Sequence, residues 1–182
     1  MKKIVIFGAT GNVGSYLTKY AAEFFDKDEY EVIAVGRRPK ANAFAKMGVP
    51  YYSVDVTKPE DFEKLPIEGV HAVMLLAAQI PSYMADYDGG LYLSSITMGA
   101  YNVLEWCRKV GADRVIYTQT VFDISLAAAP GKVLAPDTPP AFSYTGDHAM
   151  YVISKNAALE IMEHYWQEYG IKKFVFRLPT IY

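Results

Sequence analysis

An α/β fold with a doubly wound parallel sheet is predicted for this chain of 182 residues, on two observations. Short apolar runs alternate with longer segments of helical period, the pattern of successive βαβ units. The first run, Ile4-Val5-Ile6-Phe7, passes directly into a glycine-rich turn that opens a helix. The length suits one domain spanning residues 1–182, large enough to bury a substantial core.

Strands are predicted near residues 3–7, 31–36, 50–54, 70–77, 113–118 and 173–178, each on a run such as Val32-Ile33-Ala34-Val35 or Val115-Ile116-Tyr117. Helices are predicted near 12–25, 40–47, 91–110 and 148–169, with a short helical turn after Pro59. The last helix has Thr145 and Asp147 as capping candidates and stops at Gly170. Right-handed crossovers in this order give a strand order of 3-2-1-4-5-6, with a ligand crevice at the carboxyl ends of the strands. Residues 126–147, rich in Ala, Pro, Gly and Asp, break the alternation and form a loop bordering the predicted site.

The glycine turn Gly8-Ala9-Thr10-Gly11-Asn12-Val13-Gly14 reads as a dinucleotide site. Gly8 allows the tight turn, Gly11 lets the backbone approach a pyrophosphate, and Gly14 lets the helix pack on the strand. Its spacing is G-x-x-G-x-x-G, and a strand-turn-helix without a ligand is the alternative reading. Further along, Tyr151-Val152-Ile153-Ser154-Lys155 puts a phenol and an ammonium four residues apart on one helical face. A nearby cation lowers a phenol's pKa and makes Tyr151 a usable acid or base. A helix surface with a solvated lysine is the plain alternative.

Together these segments resemble the short-chain dehydrogenase/reductase superfamily, in its extended branch of NAD(P)-dependent epimerases, dehydratases and reductases. The resemblance covers nearly the whole chain: the glycine turn, Asp55-Val56-Thr57, Leu76-Ala77-Ala78, Val115 to Thr120, Tyr151 to Lys155, and Phe176 to Tyr182. It implies a Rossmann fold and an enzyme transferring hydride at a hydroxyl or ketone carbon, most commonly of a nucleotide sugar. Tyr151 is then the proton-transfer group, Lys155 lowers its pKa and holds the nicotinamide ribose, and Thr120 positions the substrate oxygen. Cofactor contacts are implied for Gly8, Thr10, Gly11, Asn12, Val13, Gly14, Asp55, Val56, Leu76, Ala77, Ala78, Thr118, Tyr151, Lys155, Pro179, Thr180 and Ile181. The asparagine that the family carries on a helix falls at Ile96, which cannot relay a proton. The chain ends at Tyr182, where extended-branch members continue into a smaller substrate-binding region, so either that part is missing and the sequence is a fragment, or most of the substrate pocket comes from elsewhere. The rival reading is a non-catalytic nucleotide sensor or regulatory module, which has no need of both Tyr151 and Lys155.

The second strand ends in Val35-Gly36-Arg37-Arg38-Pro39. It offers no carboxylate for a ribose 2′-hydroxyl but two guanidinium groups suited to a 2′-phosphate, which favours NADP over NAD. A solvated loop face is the alternative for Arg37 and Arg38, as a solvated turn is for Asp55. A net charge of −2 excludes a basic field for nucleic acid, and no apolar stretch reaches the length of a membrane span. A cytoplasmic protein is expected. The single cysteine, Cys107, excludes an internal disulfide and reads as a packed thiol. No metal site is expected: His71 and His164 lack ligand spacing, and His148 is at most a substrate contact. A homodimer is expected through helices 91–110 and 148–169, whose apolar faces carry Val103, Leu104, Cys107, Leu159, Ile161, Met162 and Trp166; one face of each helix must also cover the sheet, and the alternative is that all these residues serve the monomer core.

Overall fold

The computed structural model describes residues 1–81, 87–179 and 181. One parallel sheet organises the chain in the order β3-β2-β1-β4-β5-β6. The strands are β1 (Lys2–Phe7), β2 (Tyr30–Gly36), β3 (Tyr51–Ser53), β4 (Val70–Leu75), β5 (Arg114–Thr120) and β6 (Lys172–Leu178). Helices α1 (Asn12–Phe24) and α2 (Asn42–Lys46) precede β2 and β3, and a short 3-10 helix at Pro59–Lys64 precedes β4. A continuous helical segment then runs through α3 (Gly89–Tyr92), a π turn (Leu93–Met98) and α4 (Gly99–Val110), and α5 (Ala149–Tyr169) leads into β6. The predicted class and strand order are those observed. The order reverses between β1 and β4, which opens a crevice above their carboxyl ends.

The central strands are apolar on both sides because helices cover both faces. Val5, Phe7, Ile33, Val35, Val73, Leu75, Val115 and Tyr117 belong to the larger core cluster with α4 and α5. Ile4, Ile6, Val32 and Ala34 face a smaller cluster with Ala21 and Phe44. Cys107 is fully buried, and burial pushes its thiol pKa up.

Three local readings need correction. β5 runs on to Thr120 because its residues stay paired with β6 as far as Thr120 opposite Leu178. Neither Thr145 nor Asp147 caps α5: the Asp147 carboxylate binds His148 Nδ1 at 2.7 Å, and the Thr145 side chain turns to Ser143. The helix does stop at Gly170, with φ at 72°. Finally, of the residues assigned to a dimer face, Val103, Leu104, Cys107 and Met162 lie in the core of the single chain. They face the sheet, while Trp166, Tyr101 and Tyr169 are the exposed aromatic residues of α4 and α5.

Candidate active site

The glycine turn is built by close approach. Gly8 has φ at +84°, and a side chain there would meet the Ala77 amide nitrogen at 2.6 Å. A Cβ on Gly14 would lie 2.1 Å from the Gly8 carbonyl oxygen, so α1 can start against the turn only with glycine. Gly11 caps α1 without a side-chain hydrogen bond. The first-turn amides of Asn12, Val13 and Gly14 have no intrahelical acceptor, the arrangement that receives an anion.

Beside this turn lies a cavity of about 390 Å³ above the carboxyl ends of β1, β2 and β4. Gly8, Thr10 and Gly11 form its floor; Gly36, Arg37 and Arg38 form one rim; Asp55 and Val56 form the next; and Leu76, Ala77 and Ala78 close the far side. Ten of the predicted cofactor residues therefore share one cleft: Gly8, Thr10, Gly11, Arg37, Arg38, Asp55, Val56, Leu76, Ala77 and Ala78. The cradle, with no room for a Cβ at Gly8 and Gly14, fits a dinucleotide. Asp55 keeps one carboxylate oxygen on the Thr57 amide and hydroxyl, at 3.0 and 2.8 Å. Gly36 leaves room for Thr10, whose hydroxyl would stand 2.8 Å from any added Cβ. Sequence reasoning passed over Ser95, which lines the same cleft and accepts a hydrogen bond from the Gln79 amide at 3.3 Å. Its signal was faint, one hydroxyl in a helical run.

Thr118, Thr120, Tyr151 and Lys155 come together where β5 meets α5. Tyr151, Lys155 and Thr120 are buried, and the ring of Tyr92 packs edge-on against Tyr151 at 5.8 Å. Lys155 Nζ donates to the Thr118 carbonyl oxygen at 2.7 Å and lies 4.5 Å from the centre of the Tyr117 ring. Burial lowers its pKa to about 7. Thr120 accepts from the Phe122 amide at 3.3 Å and so opens a 3-10 turn at Val121–Ile124. Its own amide is held by the Gln119 side-chain oxygen at 2.9 Å.

The expected effect of Lys155 on Tyr151 is not what this arrangement produces. The phenol's pKa is raised: burial is the main cause, and hydrogen bonding to Thr120 opposes it. One hydrogen of the lysine goes to a backbone carbonyl, and burial favours its neutral form, which weakens its pull on the phenol.

Ile96 is buried in the π turn. The adjacent Thr97 donates to the Ser154 carbonyl oxygen at 3.1 Å, which joins this turn to the helix of Tyr151 and Lys155. His148 is half-exposed with its ring 4.7 Å from that of Phe122. Pro179 and Ile181 follow β6, and Thr180 lies outside the described residues.

Sequence reasoning also missed the pairing of the buried Asp123 with the partly buried Arg177. Arg177 Nε donates to the Asp123 carboxylate at 3.1 Å, and its other nitrogens donate to the carbonyls of Pro136 and Thr138 at 2.7 and 2.8 Å. The end of β6 is thereby tied both to the turn after Thr120 and to the loop 126–147. Among the described residues, no group of three or more His, Cys, Asp or Glu is placed to hold a metal ion, and no helix is long and apolar enough to cross a membrane.

Residues 4–182 match the model of the NAD dependent epimerase/dehydratase family. A search of curated proteins found no significant match. Among solved structures, the UDP-glucose 4-epimerase of Thermus thermophilus in complex with NAD is similar, with a TM-score of 0.77 and 24% identity over 96% of this chain and 54% of that one. Uronate dehydrogenase from Agrobacterium tumefaciens, a mutant complexed with NAD, gives a TM-score of 0.71 at 17% identity over 95% of this chain and 59% of that one. Glucuronic acid dehydrogenase from Chromohalobacter salexigens gives 0.76 at 16% identity over 100% and 62%. At such identities the likeness is one of fold. The chain spans between about half and three-fifths of the length of these structures.

Proposed function

Because the chain belongs to the NAD-dependent epimerase/dehydratase family, we propose that it is an NADP-preferring oxidoreductase or epimerase/dehydratase, transferring hydride at a hydroxyl- or ketone-bearing carbon of a nucleotide sugar. The observation that carries this reading is the meeting of Thr120, Tyr151 and Lys155 at the end of β5, in the same sheet as a cleft built on the glycine turn. The substrate class draws further support from the UDP-glucose 4-epimerase among the similar folds.

When bound, the nicotinamide cofactor supplies or accepts the hydride. The first-turn amides of α1 take the pyrophosphate, Arg37 and Arg38 take a 2′-phosphate, and Asp55 with Val56 holds the adenine. Thr118 would contact the nicotinamide half, and Pro179 and Ile181 would be further cofactor contacts, as the sequence motif assigns also to Thr180. Tyr151 gives a proton to the substrate oxygen or removes one from it, and Thr120 keeps that oxygen within reach. Lys155 holds the ribose. In its protonated form its charge favours the phenolate that proton transfer requires.

The reading includes a cytoplasmic homodimer assembled through α4 and α5. A surface hollow between those helices, lined by Tyr101, Ile161, His164 and Tyr169 among others, supports the pairing. No nucleic acid or membrane partner is part of it.

The test is fluorescence titration with NADPH and NADH, followed by assays of nucleotide sugars and uronates deuterated at the reacting carbon. Deuterium is expected either to pass to the oxidised cofactor or to be returned through it to the sugar product without exchange into water. Tight cofactor binding with no conversion of any hydroxy or keto sugar would leave the rival, a non-catalytic NAD(P)-binding module.

A further inference from the structure

Tyr51 opens β3 directly behind the rim that carries Arg37 and Arg38. Its hydroxyl faces two backbone carbonyls of that rim, Gly36 O at 3.0 Å and Arg38 O at 2.5 Å. A phenol has one hydrogen to donate, so the two acceptors share it, and the chain leaving β2 curls around this single oxygen. The ring is fixed from the other side by stacking on Phe44, with centroids 5.7 Å apart and planes inclined by 24°. Phe44 is itself buried in the smaller core cluster. The Gly36 carbonyl also accepts from the Val54 amide at 3.0 Å. The Arg38 carbonyl has the phenol as its partner.

Gly36, Arg37 and Arg38 line the cleft, whereas Tyr51 stands behind them outside its wall. Burial raises the phenol's pKa against the opposing charge of Arg38, so the hydroxyl stays a donor near neutral pH. Two side chains as long as arginine's lose much conformational entropy when they converge on one anion. A backbone already held in place reduces what remains to be ordered.

We infer that Tyr51 is a positioning residue for cofactor choice: its hydroxyl pins the Gly36–Arg38 turn so that both guanidinium groups are presented to a phosphate on the adenosine 2′-oxygen. The inference rests on the proposal that Arg37 and Arg38 receive that phosphate. Tyr51 thus favours the phosphorylated ribose without touching it, and it leaves recognition of the adenine and the pyrophosphate unchanged.

Two small probes isolate the adenosine end: 2′,5′-ADP, which carries the phosphate, and 5′-AMP, which lacks it. Calorimetric titration of the wild type is expected to show 2′,5′-ADP bound at least about tenfold more tightly, in the range of a charged hydrogen bond. Tyr51→Phe keeps the stacked ring and removes only the donor. It should weaken 2′,5′-ADP by about fivefold or more and leave 5′-AMP within about twofold. Tyr51→Met, which fills the same place without a ring, is expected to give the same selective loss, and its melting temperature shows whether the fold is intact. A wild type without preference removes the arginine reading and the Tyr51 inference with it. A wild-type preference that survives in Tyr51→Phe, or a variant that weakens both probes equally, overturns the Tyr51 inference alone.

Discussion

Lys155 Nζ donates to the carbonyl oxygen of Thr118 at 2.7 Å, an attachment that links the helix of the proposed proton donor to the carboxyl end of β5. The lysine is buried, and its pKa falls from an ordinary 10.5 to about 7. Between these values the unfolded chain binds a proton that the folded chain has released. Stability therefore rises with pH in this window, by up to about 1.4 kcal/mol per pH unit for this one group. Cys107 and Tyr117, whose pKa values are raised by burial, act in the opposite sense as their unfolded forms ionise near pH 9 and 10. Urea denaturation of the cofactor-free protein should accordingly show a gain from pH 7 to 9. In Lys155→Met the slope over this window should be lost; an unchanged slope would mean that the ammonium remains charged in the fold.

Tyr151→Phe removes the phenol oxygen and keeps the edge-on contact with Tyr92. The variant should fold and bind cofactor as the wild type does, while turnover falls by about 100- to 10,000-fold, the usual range for an acid–base group. The comparison uses a substrate that the wild type accepts. Equal rates would refute the assignment.

Arg37→Ala should weaken NADPH by about 1–3 kcal/mol and leave NADH nearly unchanged, since only the former carries the 2′-phosphate. Parallel titrations of both reduced cofactors read this directly. Equal losses would place Arg37 on the shared part of the dinucleotide.

Arg177→Met strands the Asp123 carboxylate, which is fully buried and has one oxygen without a hydrogen-bond partner among the described residues. Burial already raises the Asp123 pKa against the opposing pull of Arg177. The loss at pH 7 should be about 3–5 kcal/mol, as for other buried pairs broken on one side. Without the guanidinium the carboxyl titrates higher still, so the folded form holds a proton that the unfolded chain releases. The deficit should therefore be smaller at pH 5 than at pH 7. Denaturant midpoints at the two pH values check both statements.

The strands and the glycine turn were legible because they depend on neighbours in the chain. Gly8, Gly11 and Gly14 stand within one turn, and Tyr151 and Lys155 within one helical face. Asp123 and Arg177 were not legible, for they are 54 positions apart and no local pattern announces a pairing across the sheet. Tyr51 escaped for a similar reason: an aromatic at a strand start reads as packing, and its bonds go to carbonyls, which any residue carries. The direction of the Tyr151 shift also eluded spacing. Four-residue separation brings two groups to one face but says nothing of how dry that face is.

The π turn at Leu93–Met98 has a consequence for any residue-by-residue comparison of this chain. A wider turn accommodates an additional residue within the helix, and each residue corresponds to about 100° of rotation. A helical wheel drawn straight from Gly89 to Val110 is consequently out of phase on one side of the turn. Equating Ile96 with a polar residue elsewhere thus carries an offset of one position, and hydroxyl-bearing Ser95 and Thr97 flank it on either side. Excising a single residue here would restore an ordinary spiral and swing Gly89–Tyr92 around the axis. Tyr92 would then leave its buried seat beside Tyr151, so the irregularity sets the angular phase of the whole entering helix.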